Sequence, residues 1–181
     1  RELWTWNKTR VSEGKLPVDI GIGLNSDNVV SGTIGSKKRM DYTIIGDGVN
    51  LAARLESACK QYGAHVLVSE FTYKQLRGTY YSRELDLVVV KGKTQPVAIY
   101  EILDYHTEES YPQMIDALRH FKSGLVKYRQ QKWDDAKGEF REVLALNDHD
   151  KAAKMYIERC DHFLQNPPGD AWDGVWVMES K

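Results

Sequence analysis

Asn50 and Arg54 are the side chains in this 181-residue sequence whose types and spacing point most directly to chemistry. They stand four residues apart just after Ile45-Gly46-Asp47-Gly48, where a β-rich run gives way to a helical period marked by Leu51, Leu55 and Ala58. The pattern predicts a strand that ends at Ile45, a tight Gly-Asp-Gly turn and a helix that starts at once, with Asp47 as its N-cap. Asn50 then falls in the first helical turn, where free backbone N–H groups and the helix dipole favour an anion. Arg54 follows one turn later on the same face. An amide donor beside a guanidinium fork suits a phosphate, and such donors matter most where charge develops in a transition state. The plainer alternative is an exposed helix whose Asn50 and Arg54 face water, with Arg54 paired to Glu56 or Asp47. On spacing alone that alternative is the default.

The elements that must position this segment follow from periodicity. Residues 18–24 alternate as a half-buried strand, and 29–34 with 40–45 read as a hairpin around the polar turn 35–39. The helix begun at Asp47 stops before Gly63, 65–68 is a short strand, and 69–76 is a short helix with Ser69 as N-cap. Two further strands, 85–90 and 97–103, are joined by 91–96. Mixed strands and helices with hairpin-paired neighbours mean an α+β (mixed α/β) fold rather than a doubly wound parallel sheet. After Asp104 the pattern changes to a polar linker, 105–113, three helices between 114 and 164, and a tail from 167 in which Trp172 to Met178, with the pair Trp172 and Trp176, are expected to dock on the domain. Gly124, Ala136 and Phe140 sit where a tetratricopeptide repeat places its packing residues, which makes 114–166 a helical hairpin plus a third helix, with an apolar face for the first half or a protein partner. The division expected is 1–104, 105–113, 114–166 and 167–181.

Composition excludes several classes. With 25 Lys+Arg against 26 Asp+Glu the net charge is -1, which argues against a general nucleic-acid or anionic-membrane binder. Hydrophobic residues at 41% rule out a disordered chain, and no run approaches the ~18 apolar residues of a membrane span. Cys59 and Cys160 show no CxxC spacing and the five histidines no HExxH, so a disulfide scaffold and a zinc site are not expected and a reducing, cytoplasmic setting is. Arg1-Glu2-Leu3-Trp4 reads as the tail of a helix already under way, so the chain is expected to be a fragment.

Gly21-Ile22-Gly23-Leu24-Asn25, Val29-Val30-Ser31-Gly32-Thr33-Ile34-Gly35, Arg39-Met40-Asp41-Tyr42-Thr43-Ile44-Ile45-Gly46-Asp47 and Val49-Asn50-Leu51-Ala52-Ala53-Arg54-Leu55-Glu56 occur in order, followed by Val90-Lys91-Gly92-Lys93-Thr94-Gln95-Pro96. Together they resemble the class III nucleotide cyclases, most of all bacterial, especially cyanobacterial, adenylate cyclases. The resemblance runs from about Leu16 to Leu103. It implies a ferredoxin-like catalytic domain lacking its N-terminal part, which converts ATP to 3′,5′-cyclic AMP and pyrophosphate at a site shared across a head-to-tail homodimer. It also implies roles: Thr43 hydrogen-bonds the purine, Asn50 orients the ribose and Arg54 stabilises the pentavalent phosphate. Lys91 neutralises the triphosphate, with Lys93 as the second candidate, although composition alone makes both solvated loop charges. Two metal ions, Mg²⁺ or Mn²⁺, are implied as well. Their aspartates belong to family motifs absent from this chain, and Asp41 and Asp47 match hairpin and helix-cap positions instead. Two other readings stand beside this one: a guanylate cyclase, disfavoured by Thr43, and a catalytically incomplete dimerisation or binding module.

Overall fold

In a computed structural model, which describes residues 2–36, 39–89, 96–169 and 171–175, the chain opens with α1 (Glu2–Ser12). It continues through β1 (Ile22–Leu24) and pairs β2 (Val30–Ser36) with β3 (Arg39–Ile45) ahead of α2 (Asp47–Tyr62). β4 (Val66–Ser69) and a single helical turn, α3 (Glu70–Tyr73), lead to β5 (Ser82–Val89) and β6 (Pro96–Ile102). Three helices follow, α4 (Met114–Arg129), α5 (Trp133–Leu146) and α6 (Lys151–Gln165). The class is α+β, as the periodicity predicts.

The four-stranded sheet has the order β1-β4-β6-β5, with β1 parallel to β4 and the other pairs antiparallel. β2 and β3 form a separate two-stranded antiparallel sheet. Gly23 sets the distance between α2 and the large sheet: a Cβ there would stand 2.3 Å from both the Ala52 carbonyl oxygen and the Glu56 nitrogen. Only a residue without a side chain lets the helix backbone lie directly on β1. α2 then buries Leu51, Leu55, Cys59 and Tyr62 on one face. It stops at Gly63, whose φ of 70° provides the left-handed cap and whose following turn returns the Ala64 N–H to the Cys59 carbonyl.

Three expectations change. The strand predicted over 18–24 is regular only from Ile22, because Asn7 of α1 takes both backbone groups of Val18, accepting its N–H at 2.8 Å and donating to its carbonyl at 2.7 Å. Asp47 is the first helical residue rather than the N-cap; extended Gly46 holds the cap position with no side-chain bond, and Asp47 contributes negative charge in the first turn. The predicted 69–76 helix shortens to Glu70–Tyr73, with Ser69 as its N-cap, accepting from the Thr72 N–H at 3.3 Å.

The three C-terminal helices share one continuous core with the sheet. Phe140 stacks on Tyr156 at 5.0 Å and meets Phe121 edge-on at 5.4 Å, next to fully buried Leu85 and Ile99. Burying each such ring contributes about 1.5–3 kcal/mol. Gly124 allows the close crossing of α4 and α5, since a Cβ there would stand 2.8 Å from the Phe140 ring. The seam also carries charge. Arg83 of β5 donates to Glu101 at 2.8 Å and to Asp150 at 2.5 Å, and Tyr111, in the irregular 105–113 segment, donates to Asp150 at 3.1 Å. Trp172 of the tail packs against Tyr128, Trp133 and Phe163, whereas Trp176 lies outside the described residues.

Candidate active site

Asn50, Arg54, Ser57 and Gln61 follow one another at helical spacing along α2, and all four line a single cleft of about 510 Å³. Val88 and Val89 of β5 and Ile99 of β6 contribute to the rest of its lining. Asn50 and Arg54 are exposed, and neither side chain makes a hydrogen bond or ion pair among the described residues. The pairing of Arg54 with Glu56 or Asp47 does not form; the Glu56 carboxylate instead accepts from the neighbouring Ser57 hydroxyl at 3.4 Å. An arginine left in water with its fork unsatisfied is ready for a planar or phosphate anion. Ser57 and Gln61 are site residues that the motif-based reading passed over. The signal was present, because the Asn50–Arg54 face continues at i+7 and i+11.

The start of α2 is pinned from behind. Asn25, the residue after β1, donates to the Gly48 carbonyl at 3.1 Å and accepts from the Ser69 hydroxyl at 2.6 Å. Gly48 itself is buried against Asp27, whose Cβ lies 2.4 Å from where a Gly48 Cβ would be. Ser69 thus caps α3 and, through Asn25, fixes the first turn that carries Asn50. On the inner face of α2, burial pushes the Cys59 thiol pKa up, which suits a packing residue rather than a nucleophile.

The other predicted residues lie elsewhere. Thr43 is exposed on β3, opposite Gly32 of β2, and does not line the Asn50–Arg54 cleft. Lys91 and Lys93 lie outside the described residues. The polar groups of the cleft are two amides, a hydroxyl and a guanidinium, with no carboxylate among them. Mg²⁺ and Mn²⁺ require oxygen ligands that include carboxylates. The donor set therefore does not fit such an ion, and Arg54 would repel it. Among the described residues no group of three His, Cys, Asp or Glu could hold a metal, and no helix is long and apolar enough to cross a membrane.

Residues 3–104 match the family profile described as the adenylate and guanylate cyclase catalytic domain. The chain is 33% identical over 147 residues to the terminal-differentiation-specific adenylate cyclase of Dictyostelium discoideum, covering 79% of this chain and 7% of that protein. It is 41% identical over 88 residues to an adenylate cyclase of Anabaena cylindrica, covering 47% of this chain and 18% of that one. The chain thus spans less than a fifth of the length of either relative. Among solved structures it is similar to the adenylyl cyclase CyaB from P. aeruginosa, at 34% identity and a TM-score of 0.49, covering 57% of this chain and 52% of the other.

Proposed function

Because the chain belongs to the family of adenylate and guanylate cyclase catalytic domains, we propose that it supplies the base-reading and transition-state groups of an adenylate cyclase site. The reaction joins the ATP 3′-oxygen to the α-phosphorus, breaks the bond to the β-phosphate bridging oxygen, and releases pyrophosphate and 3′,5′-cyclic AMP. The observation that carries this reading is the pair Asn50 and Arg54, side by side on one cleft wall with no side-chain partner among the described residues. Phosphoryl transfer is accelerated mainly by positioning and by charge stabilisation, and a free guanidinium aimed into a cleft supplies the latter. Asn50 orients the ribose, Arg54 takes the charge of the five-coordinate phosphorus, and Thr43 reads the purine edge. Lys91, with Lys93 as the alternative, meets the triphosphate. The divalent ions that the family implies would supply nucleophile activation and phosphate clamping, and this cleft offers no carboxylate to hold them.

Pairing of two catalytic domains is supported by the β2–β3 hairpin. Val30, Met40, Tyr42, Ile44 and Ile45 are each more than half exposed there, on both faces of a sheet only two strands wide. Such a hairpin needs cover, and a second catalytic domain in a homodimer provides it. The close Gly124–Phe140 contact and fully buried Ala136 support a tetratricopeptide-like hairpin in 114–166, a module suited to a protein partner. The setting is cytoplasmic, where the substrate is.

A complementation assay tests the reading. The chain is paired with a family catalytic domain that retains both metal aspartates but lacks its own transition-state arginine, so ATP turnover depends on Arg54. We expect cyclic AMP, a poor response to GTP, and a loss in kcat of roughly 10²–10³-fold for Arg54→Ala with little change in KM. Asn50→Ala should act in the same direction. Unchanged kcat in both variants, or no product from the wild-type pair, overturns the reading.

A further inference from the structure

The cleft has two walls, α2 and the end of β5, and one buried carboxylate is bonded to both. Asp86 lies on β5, two and three residues before Val88 and Val89. Its Oδ2 accepts from the hydroxyl of Tyr62, the last residue of α2, at 2.7 Å, and from Arg159 Nη1 of α6 at 2.6 Å. Its Oδ1 accepts from the Leu87 N–H at 2.8 Å, which fixes the carboxylate to its own strand. All three side chains are buried, with Tyr62 at 1%, Asp86 at 2% and Arg159 at 3% exposure. Around this contact α6 grips both walls again. Tyr156 donates to the Leu85 carbonyl at 2.7 Å, where the β5–β6 register shifts, and the Lys151 stem lies against Gly63, the cap of α2.

We propose that Arg159 and Asp86 are positioning residues of the cyclase site, acting through Tyr62 to set how far α2 stands from β5 and therefore where Asn50 and Arg54 are presented. Arg159 faces Asp86 with the opposite charge, and the same carboxylate holds the Tyr62 hydroxyl. From Tyr62 to Arg54 the helix runs about 12 Å as a rigid rod, so a shift at its end is carried to the phosphate-facing side chain. The proposal rests on the cyclase reading and gives the C-terminal helices a part in it: α6 fixes the geometry of a site to which it contributes no lining residue.

The test uses the same two-subunit assay. Replacing the pair together, Asp86→Leu with Arg159→Met, removes the tie and leaves no unpaired charge, a kind of exchange that proteins often accept without loss of stability. We expect a folded protein whose kcat falls about tenfold with KM for ATP changed less than about twofold, since misplacement by a fraction of an ångström acts on the transition state. Tyr62→Phe removes only the hydroxyl and should lower kcat about threefold by the same misplacement, with no further loss when added to the double variant. A folded double variant with wild-type kcat overturns the proposal. Should the double variant not fold, Tyr62→Phe decides alone, and wild-type kcat there overturns it too. Arg54→Ala, run in parallel, separates the two ideas: if it stays fully active the cyclase reading has failed, whereas if it is dead while Tyr62→Phe is unaffected only the positioning role has.

Discussion

Arg54 stands on the open face of α2 with no partner among the described residues, whereas Arg159 is 3% exposed and donates to Asp86 at 2.6 Å. Arg83 shares the second condition, enclosed between Glu101 and Asp150 and lying over the Phe121 ring at 4.4 Å. The same functional group is kept for two purposes by its surroundings. In water and unpaired, a guanidinium contributes almost nothing to stability and keeps its donors for a ligand. In the core it is costly to desolvate, and the carboxylates that face it offset that cost. Burial alone would lower the pKa of Arg83, yet Asp150 and Glu101 outweigh it and raise that pKa instead. Arg159 behaves alike beside Asp86.

The sharpest way to break this contrast is to delete each charge in turn. Arg83→Met leaves Glu101 and Asp150 buried without a counter-charge and should cost about 3–5 kcal/mol. Arg54→Met, at the exposed site, should stay within about 0.5 kcal/mol of wild type. Urea unfolding of the two variants measures both numbers. Comparable losses would mean that Arg54 is a structural residue after all and that the cleft is not held open for a ligand.

A smaller effect sharpens the same point at the level of the backbone. Gly23→Ala places a methyl group 2.3 Å from two backbone atoms of α2, which cannot swing aside as a side-chain tip can. The helix must move off β1, at a cost of about 1–3 kcal/mol, and Asn50 and Arg54 move with it, so kcat should fall as well. Gly32→Ala is the control on the separate hairpin, where nothing lies within 4 Å of the added atom. It should be nearly silent in stability. Equal losses at the two positions would remove the claim that close approach of α2 to the sheet sets the site.

What the sequence made legible and what it did not divide along the same line. Local signals carried far: the turn and helix start at Gly46 and Asp47, the Ser69 cap, the β2–β3 hairpin and three C-terminal helices are all consequences of short-range patterning. The Asn50–Arg54 pair was legible because i, i+4 spacing is itself a geometry. The partners across the seam were not, since Asp86 and Arg159 stand 73 positions apart and Arg83 and Asp150 stand 67 apart. Nothing in an isolated Asp or Arg distinguishes a solvated surface charge from a buried pair, and the amphipathic faces of α4 to α6 show only that they are covered. Asn25 belongs to the Gly21–Asn25 motif, yet its bridge from Ser69 to Gly48 appears only when three elements converge. Thr43, by contrast, sits on the separate β2–β3 hairpin and is not among the residues that line the Asn50–Arg54 cleft.

The smallest expected effect lies at the junction between the two regions, where His106 joins the catalytic half to α4. Its ring sits between Trp4 of α1, Tyr105 and Tyr111, with ring centroids 5.9, 4.3 and 5.2 Å away, and its Nδ1 lies 3.2 Å from the Ser110 hydroxyl. Burial, aided by the nearby positive potential of His65 and Arg83 and opposed by Asp150, lowers its pKa to about 4 from an ordinary 6.5. Between those values the unfolded chain takes up a proton that the folded chain refuses. His106 is therefore neutral in its effect on stability above about pH 6.5 and subtracts from stability as pH falls toward 4, with no further loss below that. The loss should be about 1–2 kcal/mol once solvent screening of a half-buried ring is allowed for. His106→Phe keeps an aromatic ring and removes the titration, so its unfolding free energy should fall less steeply than that of wild type across this window. The two curves should run parallel above pH 7. If they run parallel down to pH 4 as well, the junction is wetter than its aromatic contacts imply, and the contrast between an open catalytic face and a dry, charge-paired seam would end at Tyr111 rather than extending to α1.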